Sequence, residues 1–106
     1  MNWNNKENKQ LIEALLSLET DKEAERFLRD LMTEGEIKEF SNRFSTALML
    51  SNKIPYSTIE KKTGFSSTTV ASVSKWLNNG MDGYKLMLNR ISHHAHASPV
   101  RKGVVL

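Results

Sequence analysis

Residues 56–77 read Tyr56-Ser57-Thr58-Ile59-Glu60-Lys61-Lys62-Thr63-Gly64-Phe65-Ser66-Ser67-Thr68-Thr69-Val70-Ala71-Ser72-Val73-Ser74-Lys75-Trp76-Leu77. Ser57-Thr58-Ile59-Glu60 has the Ser-x-x-Glu pattern of a capping box, which predicts a short helix over about 57–63. Gly64 follows, and glycine accepts the positive φ that ends a helix at little cost. Ser66 or Ser67 then caps a second helix through about Leu77. A short helix, a glycine turn and a second helix make a helix-turn-helix over about 57–77. The apolar spacing agrees. Ile59 and Thr63 precede the glycine at i and i+4, Phe65 follows it, and Val70, Val73 and Leu77 recur at i, i+3 and i+7. Glu60 stands where such motifs often carry a small residue, a modest departure.

The second helix has an exposed face of a particular kind. At about 100° per residue, Val70, Val73 and Leu77 point one way, while Thr68, Ser72 and Lys75 point the other. Thr69 and Trp76 lie on one flank. Short hydroxyl side chains permit close approach to a duplex and can exchange hydrogen bonds with base edges and phosphates. Ser66, Ser67, Thr68 and Thr69 gather at the N-terminal end, which recognition helices direct at bases and whose free N–H groups suit a phosphate. A capped amphipathic helix with a Ser/Thr-rich outer side accounts for the same residues. Position in the motif and the charge of the chain tip the reading toward DNA.

Outward from the motif, the pattern stays helical. Leu11, Ile12, Leu15, Leu16 and Leu18 predict a first helix near 5–18. Thr20 or Asp21 caps a second, whose stripe is Ala24, Phe27, Leu28, Leu31 and Met32. Thr33-Glu34-Gly35-Glu36 is another capping box and opens a third helix to about Ser51. Asn52-Lys53-Ile54-Pro55 breaks the pattern, because proline disfavours helix in the residue before it. Asn78-Asn79-Gly80 ends the recognition helix, and a last helix over about 82–92 carries Tyr84, Leu86, Leu88 and Ile91. Residues 93–106 lack periodicity and read as a flexible tail. The fold class is all-α with six helices and one domain over 1–92. The apolar first helix exceeds what a lone protomer of 106 residues covers, which points to a homodimer.

The net charge of +3 hides an asymmetry. Residues 1–40 hold six Lys/Arg against ten Asp/Glu, and residues 41–106 hold nine against two. A basic half of this kind suits a polyanion. With no cysteine, thiolate metal sites, disulfides and cysteine nucleophiles are excluded. The N-terminus lacks a signal-peptide core, and no apolar run approaches the ~20 residues of a membrane span, so a cytoplasmic location is expected.

Residues 31–77 resemble the core of the Trp repressor superfamily, and the whole chain resembles its YerC/YecD branch. The resemblance rests on order and spacing: Leu31-Met32-Thr33-x-x-Glu36, Arg43, the box at Ser57, Gly64, and the Thr68-Thr69-Val70 run. It implies an intertwined homodimer in which the first helices of two chains wrap together. It also implies that Ser57, Ser66, Ser67, Thr68 and Thr69 approach DNA. Departures are equally informative. The Trp repressor sandwiches L-tryptophan between two arginines; Arg43 matches one, but Ser72 stands at the other. Val73 replaces a glycine, and Trp76 replaces a small residue lining the pocket. The effector pocket (Arg43, Ser72, Val73, Trp76) is thus read as degenerate, with Trp76 able to fill the indole's place, and no tryptophan corepressor is expected.

The DNA-contacting set is completed by Ser72 and Lys75 on the outer face and by Lys61 and Lys62, which flank the motif where backbone phosphates would pass. His93-His94-Ala95-His96 has imidazoles but no carboxylate at ligand spacing, so neither a metal nor another cofactor is expected. Enzyme motifs are absent: there is no Gly-rich phosphate loop, no His-Glu-x-x-His and no triad. The expected function is that of a sequence-specific, homodimeric transcription regulator, a repressor, on double-stranded DNA. The alternative is a helical dimer that docks a protein partner through its acidic half, or senses an unknown effector.

Overall fold

The computed structural model describes residues 1–97, and the side chains of residues 1–92. Six α-helices follow in order: α1 (Lys6–Leu16), α2 (Asp21–Leu31), α3 (Glu34–Ser51), α4 (Tyr56–Thr63), α5 (Ser67–Asn79) and α6 (Gly83–Ala97). The described residues contain no strand, so the expected all-α class holds. They form two units, 1–31 and 32–97.

In the first unit α1 starts at Asn5, whose side chain accepts from the Asn8 N–H at 2.8 Å. Thr20 plays the same part for α2, accepting from Glu23 N–H at 3.1 Å, while the Glu23 carboxylate accepts from Glu19 N–H. These caps satisfy donors that a helix start leaves free. Neither helix buries a side chain in this unit. Leu11, Ile12 and Leu15 are about two-fifths exposed, and Leu16 is 80% exposed. The apolar stripe read from the sequence is therefore formed but not covered within the unit.

The second unit holds the core. α3 opens on the Thr33 capping box, with Thr33 Oγ1 accepting from Glu36 N–H at 3.1 Å and Glu36 Oε1 accepting from Thr33 N–H at 2.9 Å. Its Ala47 packs with Ile59 of α4 and Val70, Val73 and Leu77 of α5 as the buried centre. Ile59, Val70, Val73 and Leu77 each contribute about 1.5–3 kcal/mol on burial. α6 packs against α3 and α5, with Phe44 and Tyr84 rings 6.3 Å apart. Thr46 is fully buried in α3, and its hydroxyl has no hydrogen-bond partner among the described residues.

α3 ends on the two bonds of a Schellman motif. Ile54 N–H donates to Met49 carbonyl and Lys53 N–H to Leu50 carbonyl, both at 3.0 Å. This geometry puts Lys53 at φ 63°, a conformation that glycine takes far more readily. The sequence marked a break here without showing its form.

Two expectations need correction. Ser57 does not cap α4. Pro55 takes the N-cap position with φ −64°, and no side chain caps the helix. The Pro55 carbonyl accepts from both Thr58 and Ile59 N–H at 3.1 Å, so the helix begins at Tyr56 and Ser57 falls inside its first turn. Proline suits this place because its fixed φ is compatible with a helix start and its missing N–H has no role there. The last helix also runs past 92 to Ala97, because the sequence offers no glycine or proline between Ser92 and Ala97 to stop it. The expected tail from 98 onward, and the side chains of His93, His94 and His96, lie outside the described residues.

Candidate nucleic-acid interface

The turn between α4 and α5 is built from local bonds. Gly64 adopts φ 77°, and its N–H donates to Glu60 carbonyl at 2.8 Å. Thr63 Oγ1 donates to Ile59 carbonyl at 2.8 Å and accepts from Phe65 N–H at 3.1 Å, so one hydroxyl ties both sides of the turn. Ser66 then caps α5, accepting from Thr69 N–H at 3.2 Å, and lies 3.2 Å from the Thr69 hydroxyl. Ile59, Val70 and Val73 are fully buried, so both helices are fixed to α3 through the same core.

The side of α5 opposite that core is open. Ser66, Ser67, Thr68, Ser72 and Lys75 are exposed, and Thr69 is half-buried beside Ser66. The Ser72 hydroxyl donates to Thr68 carbonyl at 3.1 Å, and the Thr68 hydroxyl has no hydrogen-bond partner among the described residues. Lys61 and Lys62 close the last turn of α4, where cations also complement the helix dipole, and Ser57 is exposed at its start. Lys61, Lys62 and Lys75 have no ion-pair partner among the described residues, although Lys75 Nζ lies 5.8 Å from the Trp76 ring centroid. The turn thus brings hydroxyls, a capped helix N-terminus and unpaired lysines onto one module.

The residues read as a degenerate effector pocket do not form a site together. Val73 is buried in the core, whereas Ser72 is exposed on the outer face. Trp76 is 54% exposed and lines a groove of about 430 Å³ with Phe44, Tyr84 and Met87. Arg43 is engaged by Glu39, whose Oε2 accepts from Nε at 3.1 Å and lies 3.0 Å from Nη2. The sequence reading missed this pair; its i, i+4 spacing on α3 is the one signal that pointed to it, among several charges on that helix. No group of three or more His, Asp or Glu able to hold a metal ion occurs among the described residues. None of their helices is long and apolar enough to cross a membrane.

Known proteins agree with this architecture. The chain is 40% identical over 86 residues to YerC of Bacillus subtilis (strain 168), spanning 81% of this chain and 83% of that protein. It superposes on the crystal structure of a TrpR-like protein from Eubacterium eligens with a TM-score of 0.81 and 38% identity, over 85% of this chain and 93% of the other. The family model for the Trp repressor protein matches residues 6–92, from the start of α1 through most of α6. With a helix-turn-helix held on that six-helix frame, the chain belongs to the Trp repressor family.

Proposed function

We propose that the protein is a sequence-specific, DNA-binding transcription regulator, a repressor, that acts as a homodimer in the cytoplasm and does not depend on L-tryptophan. The observation that carries this reading is the outer face of α5. Thr68, Ser72 and Lys75 are exposed on a helix whose opposite side, Val70, Val73 and Leu77, is buried. A recognition helix needs this combination: a rigid mount, and short side chains that let the backbone approach base edges. Ser57, Ser66, Ser67 and Thr69 line its approach. Lys61, Lys62 and Lys75 supply the electrostatic, sequence-independent part of affinity.

The dimer is supported by α1. Its leucines and isoleucine stand open in their unit, and a second copy offers the same stripe in return. A two-fold axis would set two α5 helices about one DNA turn apart, ~34 Å. Independence from L-tryptophan is supported at three positions. Arg43 already pairs with Glu39. Ser72 carries no charge for a ligand carboxylate, which a bidentate arginine would hold. The Trp76 indole lines the groove beside Phe44 and Tyr84 and narrows the space that an indole ligand would need.

Fluorescence anisotropy with duplex DNA tests the reading. Lys61→Ala or Lys75→Ala should weaken binding to all sequences and lower the salt slope by about one for each lost phosphate contact. Added L-tryptophan should leave affinity unchanged, and sedimentation equilibrium at micromolar concentration should give a dimer. A monomer, salt-independent binding, or tenfold tighter binding with L-tryptophan would each remove its part of the proposal.

A further inference from the structure

A second concave site lies on the other flank of α5. The groove has a volume of about 410 Å³, within the range of small-molecule sites. Its floor is apolar, from Leu50, Leu77 and Leu88. Its polar wall combines Lys53 from the end of α3, Ser74 and Asn78 from α5, and Lys85 from α6. Among the described residues no carboxylate lines it, so a cation or an amine finds no anionic partner there. Lys53 and Lys85 are exposed and have no ion-pair partner among the described residues.

Two further features bear on the ligand. Asn78 Nδ2 donates to Ser74 carbonyl at 2.9 Å and lies 3.4 Å from Ser74 Oγ, so the Ser74 hydroxyl proton remains available to an acceptor. Lys53 is the left-handed residue of the α3 Schellman motif, a place where glycine would cost less. A lysine in a conformationally unfavourable position, with its side chain on the wall of a groove, is local strain of the kind that gathers at ligand sites.

We infer that this groove binds a small molecule with a phosphomonoester head and an apolar body. Two ammonium groups match a phosphate that carries about −1.5 to −2 charge at neutral pH. Ser74 supplies a hydroxyl donor, and the leucine floor takes the apolar body. A carboxylate would leave one lysine uncompensated, and inorganic phosphate would leave the floor empty. A bound ligand would join the end of α3, α5 and α6. The inference stands independently of the DNA reading, since its readout is ligand binding.

The probes are phenyl phosphate, phenol and inorganic phosphate, titrated calorimetrically into the intact protein, Lys53→Gly and Lys85→Met. Lys53→Gly removes the ammonium while keeping a residue suited to φ 63°, so its folding is secure. Phenyl phosphate should saturate the parent with one site per chain and bind each variant at least tenfold more weakly. Inorganic phosphate should bind more weakly than phenyl phosphate, and phenol should not bind. Absence of saturable phenyl phosphate binding, or equal affinity in Lys53→Gly and Lys85→Met, overturns the inference. So does the case in which both variants lose DNA affinity and salt slope while none of the proteins binds phenyl phosphate, because the lysines then serve the DNA backbone. If the protein fails to bind DNA yet phenyl phosphate binds in this pattern, the groove stands and the DNA reading falls.

Discussion

Gly80 closes α5, and its replacement by alanine gives a sharp test of the corner that leads into α6. A Cβ built there lies 2.4 Å from the Trp76 carbonyl oxygen, 3.2 Å from its carbon and 3.3 Å from its Cα. All three atoms are backbone, so no side chain can swing aside. The same carbonyl accepts the Gly80 N–H at 3.0 Å. Relief demands a backbone shift approaching 1 Å, which strains or breaks that bond at about 0.5–1.5 kcal/mol and disturbs neighbouring packing at about 1–3 kcal/mol. The smaller entropy of the unfolded alanine chain returns about 0.4–1 kcal/mol. The net expectation is a loss of roughly 1–3 kcal/mol. At about 4–8 °C per kcal/mol for a domain of this size, Tm should fall by roughly 5–20 °C. Thermal unfolding followed by far-ultraviolet circular dichroism, at matched protein concentration, measures it. Gly83→Ala is the control: a Cβ there meets nothing within 4 Å, and Tm should hold or rise. A Gly80→Ala protein as stable as its parent would refute the account of the corner.

Three further outcomes can be measured in the same assay. Thr46→Val should raise stability by about 1 kcal/mol, because it removes a buried hydroxyl without a partner while keeping the side chain's shape. Lys53→Gly should stabilise by about 0.5–1 kcal/mol, since glycine relieves the left-handed backbone; equal or lower Tm would show that φ 63° costs the lysine nothing. Ser66→Ala should cost about 1 kcal/mol, since the Thr69 N–H loses its cap, and should weaken DNA binding through a frayed helix start.

Much of the frame was legible because it rests on local rules. The Thr33 capping box, the break before Pro55 and the left-handed Gly64 are each encoded within a few residues, and the i, i+3, i+7 spacing of Val70, Val73 and Leu77 named the buried side of α5. The capping box at Ser57 failed because two local signals competed, and Pro55 started the helix first. The Arg43–Glu39 pair and the groove between Lys53 and Lys85 were harder to see. The first requires a choice among several charges on α3, and the second joins residues distant in sequence. The form of the Schellman turn was hidden because a lysine stands where glycine would have announced it.

The central claim is that the outer face of α5 reads DNA sequence. Selection from a random duplex library tests it most directly, with the parent protein and with a Thr68→Tyr/Thr69→Tyr double variant carried through the same rounds. The parent should enrich a two-fold symmetric motif with half-sites about one helical turn, ~34 Å, apart. The variant should enrich none, while retaining the salt-dependent, non-specific binding that the lysines provide. A parent that enriches no sequence, or a double variant that enriches the same motif as the parent, would contradict the account.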